Sequence, residues 1–130
     1  MTGHTGFKGS WLCVILNNLG HEVHGYSLPP ETGGLFEEIE ISSKIKSDRR
    51  GDIRNKDQLV TALKHSNPDV VIHLAAQPLV RDSYSSPSET FETNCQGTVN
   101  LIQAMSEVAP DAFLLAITTD KVYKNTGKLD

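Results

Sequence analysis

The chain has only two cysteines, Cys13 and Cys95, among its 130 residues. They are far apart in the sequence, and each falls within a predicted helix. The pattern therefore favours reduced, half-buried thiols over a disulfide or a metal pair, and no metal site is expected. Reduced thiols are typical of a reducing compartment, so we expect a cytoplasmic protein.

Positive charge and long apolar runs are also scarce. The 12 Lys and Arg residues are outnumbered by 16 Asp and Glu residues, and the formal net charge is -4 at pH 7. This balance gives no reason to expect nucleic acid or an anionic membrane as a partner. No run approaches a membrane span, and the first residues do not resemble a signal peptide. With 38% hydrophobic and 22% charged residues, the composition is typical of one soluble globular domain.

A glycine-rich turn, Gly-His-Thr-Gly-Phe-Lys-Gly, occupies residues 3–9. It leads into an apolar stripe that predicts one face of a helix closed by Gly20: Trp11, Leu12, Ile15, Leu16 and Leu19. Free N–H groups and the positive end of the helix dipole would meet at this turn and attract a phosphate. Gly3, Gly6 and Gly9 are spaced one residue wider than the common dinucleotide motif, and the order Lys-Gly-Ser is not that of a Walker loop. An ordinary capped helix is the alternative, but the elements that follow favour a dinucleotide site.

The rest of the chain alternates predicted strands and helices, which favours a Rossmann-like, doubly wound parallel α/β sheet in a single partial domain spanning residues 1–130. The predicted strands cover residues 21–27, 41–50, 70–76 and 112–117, the second of them at an edge. Only Met1 and Thr2 precede the glycine-rich turn, where a nucleotide-binding unit has a central strand. We therefore expect the first strand to be largely missing, with a gap between the second and fourth strands.

Two positions bear on the adenosine half of a dinucleotide. At the end of the strand over residues 21–27, an acid would bind the ribose hydroxyls of NAD, and an arginine would favour a 2′-phosphate. Ser27 is neither, so the choice between NAD and NADP stays open on these residues. Asp52 and Ile53 are candidates for an adenine site, with the carboxylate accepting from the amino group and the isoleucine covering the ring. A plain turn aspartate is the alternative.

Residues 70–76, Val-Val-Ile-His-Leu-Ala-Ala, form the clearest strand. A run that is apolar on both faces is typical of a central parallel strand covered by helices. His73 has no partner at chelating distance in the sequence, so we interpret it as a satisfied core histidine. Ala75 and Ala76 are small enough to let a flat cofactor pass, and Asn94 either bridges to the neighbouring strand or faces water.

Capping patterns and a polar loop complete the middle of the chain. Asn55 with Gln58 three residues later predicts a helix start, and Ser86-Pro87-Ser88-Glu89 predicts another with a capping serine. The stretch over residues 77–85 is predicted to be a polar loop. These signals place helices over about residues 55–66 and 86–108.

The second buried strand, residues 112–117, gives way to Thr118, Thr119, Asp120 and Lys121. Catalytic groups gather at the carboxyl ends of central strands in this architecture. A hydroxyl could polarise a substrate oxygen, while an acid and an amine handle protons. A hydrophilic exit from the sheet is the alternative.

Together, the motifs at residues 3–11, 51–54, 73–81 and 118–123 resemble the extended short-chain dehydrogenase/reductase superfamily, and closely its CDP-glucose 4,6-dehydratase family. The resemblance runs nearly end to end but concerns only the amino-terminal part of such enzymes. It implies NAD as a temporary hydride store: C4 of CDP-glucose is oxidised, water leaves across C5 and C6, and the hydride returns at C6. It also implies a homo-oligomeric parent enzyme that makes a 4-keto-6-deoxy sugar nucleotide.

The resemblance implies roles for particular residues. Thr119, Asp120 and Lys121 would belong to the sugar site, and Lys121 favours the CDP-sugar branch because related dTDP-glucose dehydratases usually have Glu there. The cofactor would lie along Gly3, Thr5, Gly6, Phe7, Lys8, Gly9, Asp52, Ile53, Leu74, Ala75, Ala76, Gln77, Asn94 and Thr118.

The family's Tyr-x-x-x-Lys pair does not occur in the chain; Tyr123, for example, is followed four residues later by Gly127. We therefore expect this polypeptide, as written, to be marginally stable and inactive. Two alternatives stay open: a different nucleotide-sugar epimerase or reductase on the same scaffold, and a non-catalytic nucleotide-binding remnant.

Overall fold

The structure is a computed structural model that describes residues 1–119, Lys124 and Gly127. Its strands are β1 (His24–Ser27), β2 (Ser47–Arg50), β3 (Val70–His73) and β4 (Phe113–Ala116). Its α-helices are α1 (Phe7–Asn18), α2 (Leu35–Glu38), α3 (Lys56–Ser66), α4 (Val80–Ser85), α5 (Pro87–Phe91) and α6 (Gly97–Val108). A 3₁₀ turn spans Ile41–Ser43, and a π-helical turn spans Glu92–Gln96.

All strand pairings described are parallel. β1 pairs with β2, and β3 pairs with β4. Between the two pairs lies Thr2, which forms parallel bridges to both Tyr26 and His73. The resulting order, β2-β1-Thr2-β3-β4, is that of the nucleotide-binding half of a doubly wound sheet. The predicted fold class is confirmed.

The predicted gap in the sheet is closed at its carboxyl edge. The Thr2 N–H donates to the Ile72 carbonyl at 2.9 Å, and the Gly3 N–H donates to the Tyr26 carbonyl at 3.0 Å. In return, the Tyr26 N–H donates to the Met1 carbonyl at 2.9 Å. A few residues are enough because the ends of β1 and β3 lie one ladder spacing away on either side. The edge of the sheet where a ligand would bind is therefore continuous.

Helices α3 and α6 cover one face of this sheet, which we call the covered face. Its core consists of Tyr26, Ile53, Leu59, Leu63, Val71, Leu101, Ala104 and Met105. On the other face, α1 and α2 pack over β1 and β2 around Cys13, Val23, Phe36, Ile41 and Ile45. The two clusters make the three layers expected of an α/β domain.

One prediction about burial is wrong, and one apolar pattern does not mark the buried side of its helix. β4 is not buried on both faces, because Phe113 is 67% and Leu115 45% exposed on the side away from α6. The apolar stripe of α1 is also not its buried face: Trp11 and Ile15 are exposed. The buried residues of α1 are Gly9, Ser10 and Cys13. Small side chains allow the helix to approach the glycine loop closely, which a stripe of large residues does not.

Several local predictions are tested by the elements. Asn55 caps α3, with its Oδ1 accepting from the Gln58 N–H at 3.1 Å, as predicted. Ser86 precedes α5 as predicted, but its side chain makes no capping hydrogen bond. The predicted loop over residues 77–85 is wrong in part, because it contains α4.

The structure also describes the two cysteines, the lengths of the helices and the groups of metal-ligating side chains. Both cysteines are free, as predicted, but neither is half-buried: Cys13 is buried and Cys95 is exposed. Across the described part of the chain, no helix is both long and apolar enough to span a bilayer. Within those same residues, no group of three or more His, Cys, Asp or Glu side chains is arranged to hold a metal ion.

Candidate functional site

The glycine-rich turn lies at the carboxyl edge of the sheet, against the end of β3. Gly3 has a φ of +71°, and a Cβ on it would lie 2.7 Å from the Ala75 nitrogen. A Cβ on Gly9 would lie 2.2 Å from the Gly3 carbonyl oxygen, so Gly9 lets α1 pack onto the turn itself. Both approaches exclude any side chain. The turn is thereby held at the edge where ligands bind to open α/β sheets.

The amino end of α1 is suited to an anion. Gly6 is its N-cap, with no side-chain cap, and no acidic residue lies in the first turn. A Cβ on Gly6 would meet only the Gly3 oxygen at 3.5 Å, so the approach to these N–H groups is open. Phe7 and Lys8 begin the helix and are exposed. Unsatisfied N–H groups and the helix dipole together favour a phosphate at this point.

The end of β1 carries a pair of hydroxyls. The Thr5 Oγ1 lies 2.8 Å from the Ser27 Oγ and also donates to the Leu28 carbonyl at 3.1 Å. Thr5 comes from the glycine-rich turn, and Ser27 is the last residue of β1. This contact joins the phosphate-binding part of the candidate site to the position where a ribose is expected.

Asp52 and Ile53 follow β2, beside these elements. Both carboxylate oxygens of Asp52 accept from Arg54, at 2.6 to 3.0 Å. The hydrogen bond from the Arg54 side chain lowers the pKa of Asp52, which is therefore ionised at neutral pH. Arg54 also lies 3.7 Å from Glu89 and from Glu92. Asp52 is thus an oriented acceptor, but an adenine amino group would share it with Arg54.

Ile53 has a different environment from the one we expected. Its side chain is only 5% exposed, and a Cβ on Gly97 of α6 would lie 2.6 Å from its Cγ2. The side chain packs into the core of the covered face, which leaves little of it to cover an adenine ring. A role for Ile53 at an adenine stays a prediction.

The loop after β3 is clamped by Asn94. The Gln77 N–H donates to the Asn94 Oδ1 at 2.7 Å, and the Asn94 Nδ2 donates to the Gln77 carbonyl at 3.1 Å. Asn94 is in the π-helical turn. Its two hydrogen bonds bridge to the loop that follows β3, so its side chain does not simply face water. Leu74, Ala75 and Ala76 lie between β3 and this clamp.

A hydrogen-bonded chain links the centre of the sheet to that clamp. The Thr2 Oγ1 is 2.7 Å from the His73 Nδ1, and the His73 Nε2 is 3.0 Å from the Thr98 Oγ1. Thr98 in turn donates to the Asn94 carbonyl at 2.7 Å. His73 is buried, and desolvation lowers its pKa. The prediction of a satisfied core histidine is confirmed.

Asn100 and Thr98 were missed by the sequence analysis. Asn100 is buried and donates through its Nδ2 to the Arg54 carbonyl at 2.8 Å, so α6 holds the loop that carries Asp52. A polar amide on the apolar side of a predicted helix is a signal that could have identified it, because a buried amide needs a partner.

The candidate sugar-site residues are only partly described. Thr118 and Thr119 follow β4 at the same carboxyl edge as the glycine turn, and both are exposed. Asp120 and Lys121 lie outside the described residues. The structure thus brings Gly3, Ser27 and Ala75 to one edge of the sheet. Thr118 follows β4 at the same edge, two strands away from Gly3.

A parallel sheet with a glycine-rich turn, an open helix N-terminus and hydroxyls at the next strand end defines a dinucleotide-binding domain of the Rossmann type. The model of the NAD dependent epimerase/dehydratase family matches residues 1–129. The chain therefore belongs to that family. Its residues fit the cofactor in the family's description, because Gly6 leaves open the approach to the N–H groups at the start of α1, where a pyrophosphate would bind.

Among curated relatives, CDP-glucose 4,6-dehydratase of Salmonella typhimurium is 44% identical over 126 residues, which are 96% of this chain and 35% of that protein. CDP-paratose 2-epimerase of Salmonella typhi is 36% identical over 95% of this chain and 37% of the relative. The chain thus spans about a third of these relatives' length.

Solved structures agree on the fold. Pal from Bacillus thuringiensis superposes with a TM-score of 0.83 at 28% identity, covering 96% of this chain and 40% of that one. UDP-glucose 4-epimerase from Stenotrophomonas maltophila, with bound NAD and formylated UDP-arabinopyranose, gives 0.80 at 26% identity, covering 98% and 38%. The family is NAD dependent by its description, and the Stenotrophomonas maltophila epimerase holds NAD.

Proposed function

We propose that this chain is the NAD-holding, amino-terminal part of a nucleotide-sugar 4,6-dehydratase whose complete form acts on CDP-glucose. The observation that supports it most is the meeting of the glycine-rich turn, Ser27 and Ala75 at one edge of a parallel sheet, with Gly3 in backbone contact with the end of β3. The identity to a CDP-glucose 4,6-dehydratase supports the choice of reaction.

The proposed roles follow the positions of the residues. When bound, NAD supplies the reversible removal of a hydride from C4 of the sugar. The N–H groups at the start of α1 would bind its pyrophosphate, and the loop at Leu74, Ala75 and Ala76 would lie along it. Gln77, held by Asn94, would keep that loop in place.

At the end of β4, Thr118 would lie at the cofactor and the Thr119 hydroxyl would polarise a sugar oxygen. The carboxyl group of Asp120 and the amine of Lys121 would transfer protons during the elimination of water across C5 and C6. For the complete enzyme we also propose a cytoplasmic location and a homo-oligomeric state. The isolated chain would be inactive, because the Tyr-x-x-x-Lys pair that the resemblance implies for C4 deprotonation is not in these 130 residues.

The cofactor site is tested by comparing Gly6→Asp with Gly6→Asn. Asp and Asn are both good N-cap residues of nearly equal shape, and the φ of Gly6, -74°, suits either. Only Asp places a negative charge where the phosphate would sit. We expect Gly6→Asp to weaken NAD binding about tenfold or more relative to Gly6→Asn, measured by titration into each purified chain. Equal affinities would show that no phosphate binds there.

The reaction is tested on the complete enzyme by analysing the product formed from CDP-glucose. A 4-keto-6-deoxy sugar supports dehydration, whereas an inverted or a reduced sugar would favour an epimerase or a reductase. The epimerase is the second candidate, because CDP-paratose 2-epimerase also matches 95% of the chain. No detectable NAD binding by the chain would favour a non-catalytic remnant.

A further inference from the structure

The ends of β1 and β2 place a serine in register with an arginine. Ser27 is directly opposite Arg50 in the parallel register. Tyr26, the preceding residue, faces α3, with its hydroxyl 3.4 Å from Gln58. Because side chains alternate along a strand, Ser27 and its register partner Arg50 lie on the opposite side, with the glycine-rich turn. The Thr5 hydroxyl, 2.8 Å from Ser27, belongs to the same corner.

The acid in this corner is not free to bind a ribose. Asp48 lies two residues before Arg50, on the same side of β2. Its Oδ1 is 2.8 Å from the His4 Nε2, and its Oδ2 accepts from the Arg50 Nη2 at 2.6 Å. Its side chain is only 16% exposed. Both carboxylate oxygens are therefore engaged by the protein.

Arg50 is held in place and still has donors to offer. Its guanidinium lies 5.0 Å from the centre of the Phe36 ring, and its side chain is 34% exposed. A guanidinium has five N–H donors in a fixed plane. In the contacts described for residues 1–119, one of its nitrogens, Nη2, is committed to Asp48. Ring stacking and this ion pair orient the group with little further loss of side-chain freedom.

We propose that Ser27, Thr5 and Arg50 form an adenosine-ribose site that accepts a 2′-phosphate as well as a 2′-hydroxyl, so that the chain binds NADP about as well as NAD. The proposal rests on the dinucleotide-binding function proposed above. A carboxylate at the end of β1 would repel a phosphate, whereas a guanidinium donates to it and the hydroxyls carry no charge that repels it. The corner therefore lacks the group by which an NAD-specific site rejects NADP.

The test uses two probes that differ only in the phosphate: adenosine 5′-monophosphate and adenosine 2′,5′-bisphosphate. Each is titrated into the full 130-residue chain, and amide shifts in the glycine-rich turn and at the end of β1 are followed by NMR. We expect the bisphosphate to bind at least as tightly as the monophosphate. We also expect the dissociation constants of NAD and NADP to agree within about tenfold.

Two arginine variants separate a local contact from general charge. Arg50→Gln should lower the affinity for the bisphosphate about tenfold and leave that for the monophosphate unchanged. The matched control is Arg49→Gln, because Arg49 is the register partner of Tyr26 and side chains alternate along the strand. It should change neither affinity by more than about twofold, as expected of a charge on the other face of the sheet. Arg50→Lys keeps the charge and should retain part of the bisphosphate binding.

Ser27→Asp supplies the missing acid and should make the monophosphate the tighter ligand. Equal losses for both probes in Arg50→Gln would assign Arg50 a structural role and overturn the proposal. So would a bisphosphate that binds wild-type chain more weakly than the monophosphate does. If the monophosphate itself fails to shift the glycine-turn amides, the proposed dinucleotide site is wrong and this inference falls with it.

Discussion

The two faces of the sheet differ sharply in how completely they are covered. On the covered face, α3 and α6 bury one core that extends from Tyr26 on β1 to Val71 on β3 and includes the fully buried Leu101. On the other face, α1 and α2 bury a cluster over β1 and β2 only. Over β3 and β4 that face exposes Val70, Phe113 and Leu115 in the described part of the chain.

This difference matters for the candidate site, because several contacts that hold its loops come from the covered face. The Asn94 clamp on Gln77, the Asn100 contact with the Arg54 carbonyl and the His73 link to Thr98 all come from the segment running from the π-helical turn into α6. That helix also carries much of the buried core. The loops that follow β2 and β3 are therefore held by the better-packed layer, whereas the glycine-rich turn and α1 belong to the other face.

The largest expected effect comes from truncating the core of the covered face. Leu101→Ala removes a fully buried side chain and should lower the free energy of unfolding by about 2–5 kcal/mol. Phe113→Ala, on the exposed side of β4, should lower it by less than about 1 kcal/mol. Urea denaturation of both variants measures the difference. Similar losses would mean that the exposed face is packed in solution, and the contrast drawn here would be wrong.

Acid should weaken both layers through their buried histidines. Desolvation lowers the pKa of His73 on the covered face and of His4 on the other, from an ordinary value of 6.5. Below pH 6.5 each histidine takes up a proton in the unfolded chain before it does so in the folded one. Stability is therefore greatest above pH 6.5 and falls as the pH decreases, by up to about 1.4 kcal/mol per pH unit per histidine.

The control for this prediction is His73→Gln, which removes the titrating group and keeps an amide that can hydrogen bond. Its stability should fall less steeply between pH 6.5 and more acidic values than that of the unmodified chain. Thermal melts at a series of pH values give both slopes. Parallel slopes would show that the link from Thr2 through His73 to Thr98 does not depend on a neutral ring.

The smallest effect distinguishes two helix starts that look alike in the sequence. Asn55→Ala removes the hydrogen bond to the Gln58 N–H at the start of α3 and should lower the free energy of unfolding by about 1 kcal/mol. Ser86→Ala should change it little, because the Ser86 side chain makes no capping bond to α5. Chemical denaturation of the two variants checks this. A loss on Ser86→Ala as large as on Asn55→Ala would contradict the described cap.

Local patterns were enough to predict the elements that surround the site. The run over residues 70–76, the cap at Asn55 and the glycine-rich turn depend on near neighbours, so periodicity and residue type predict them. The same patterns were less informative about burial. Large apolar residues at helical spacing show that α1 is a helix, but they do not show that its small residues pack inward and Trp11 faces outward.

By itself, the sequence determined a parallel α/β domain with a glycine-rich turn before its first helix, because glycine spacing and apolar runs are written along a continuous stretch of chain. Only the tertiary structure decided which polar groups meet. Thr2 lies 71 residues from His73, and Asn100 lies 46 residues from Arg54. The same holds for Ser27 and Arg50, which face each other only because β1 and β2 pair in one particular register. Contacts between distant residues depend on how strands align and helices pack, and no local pattern encodes that alignment.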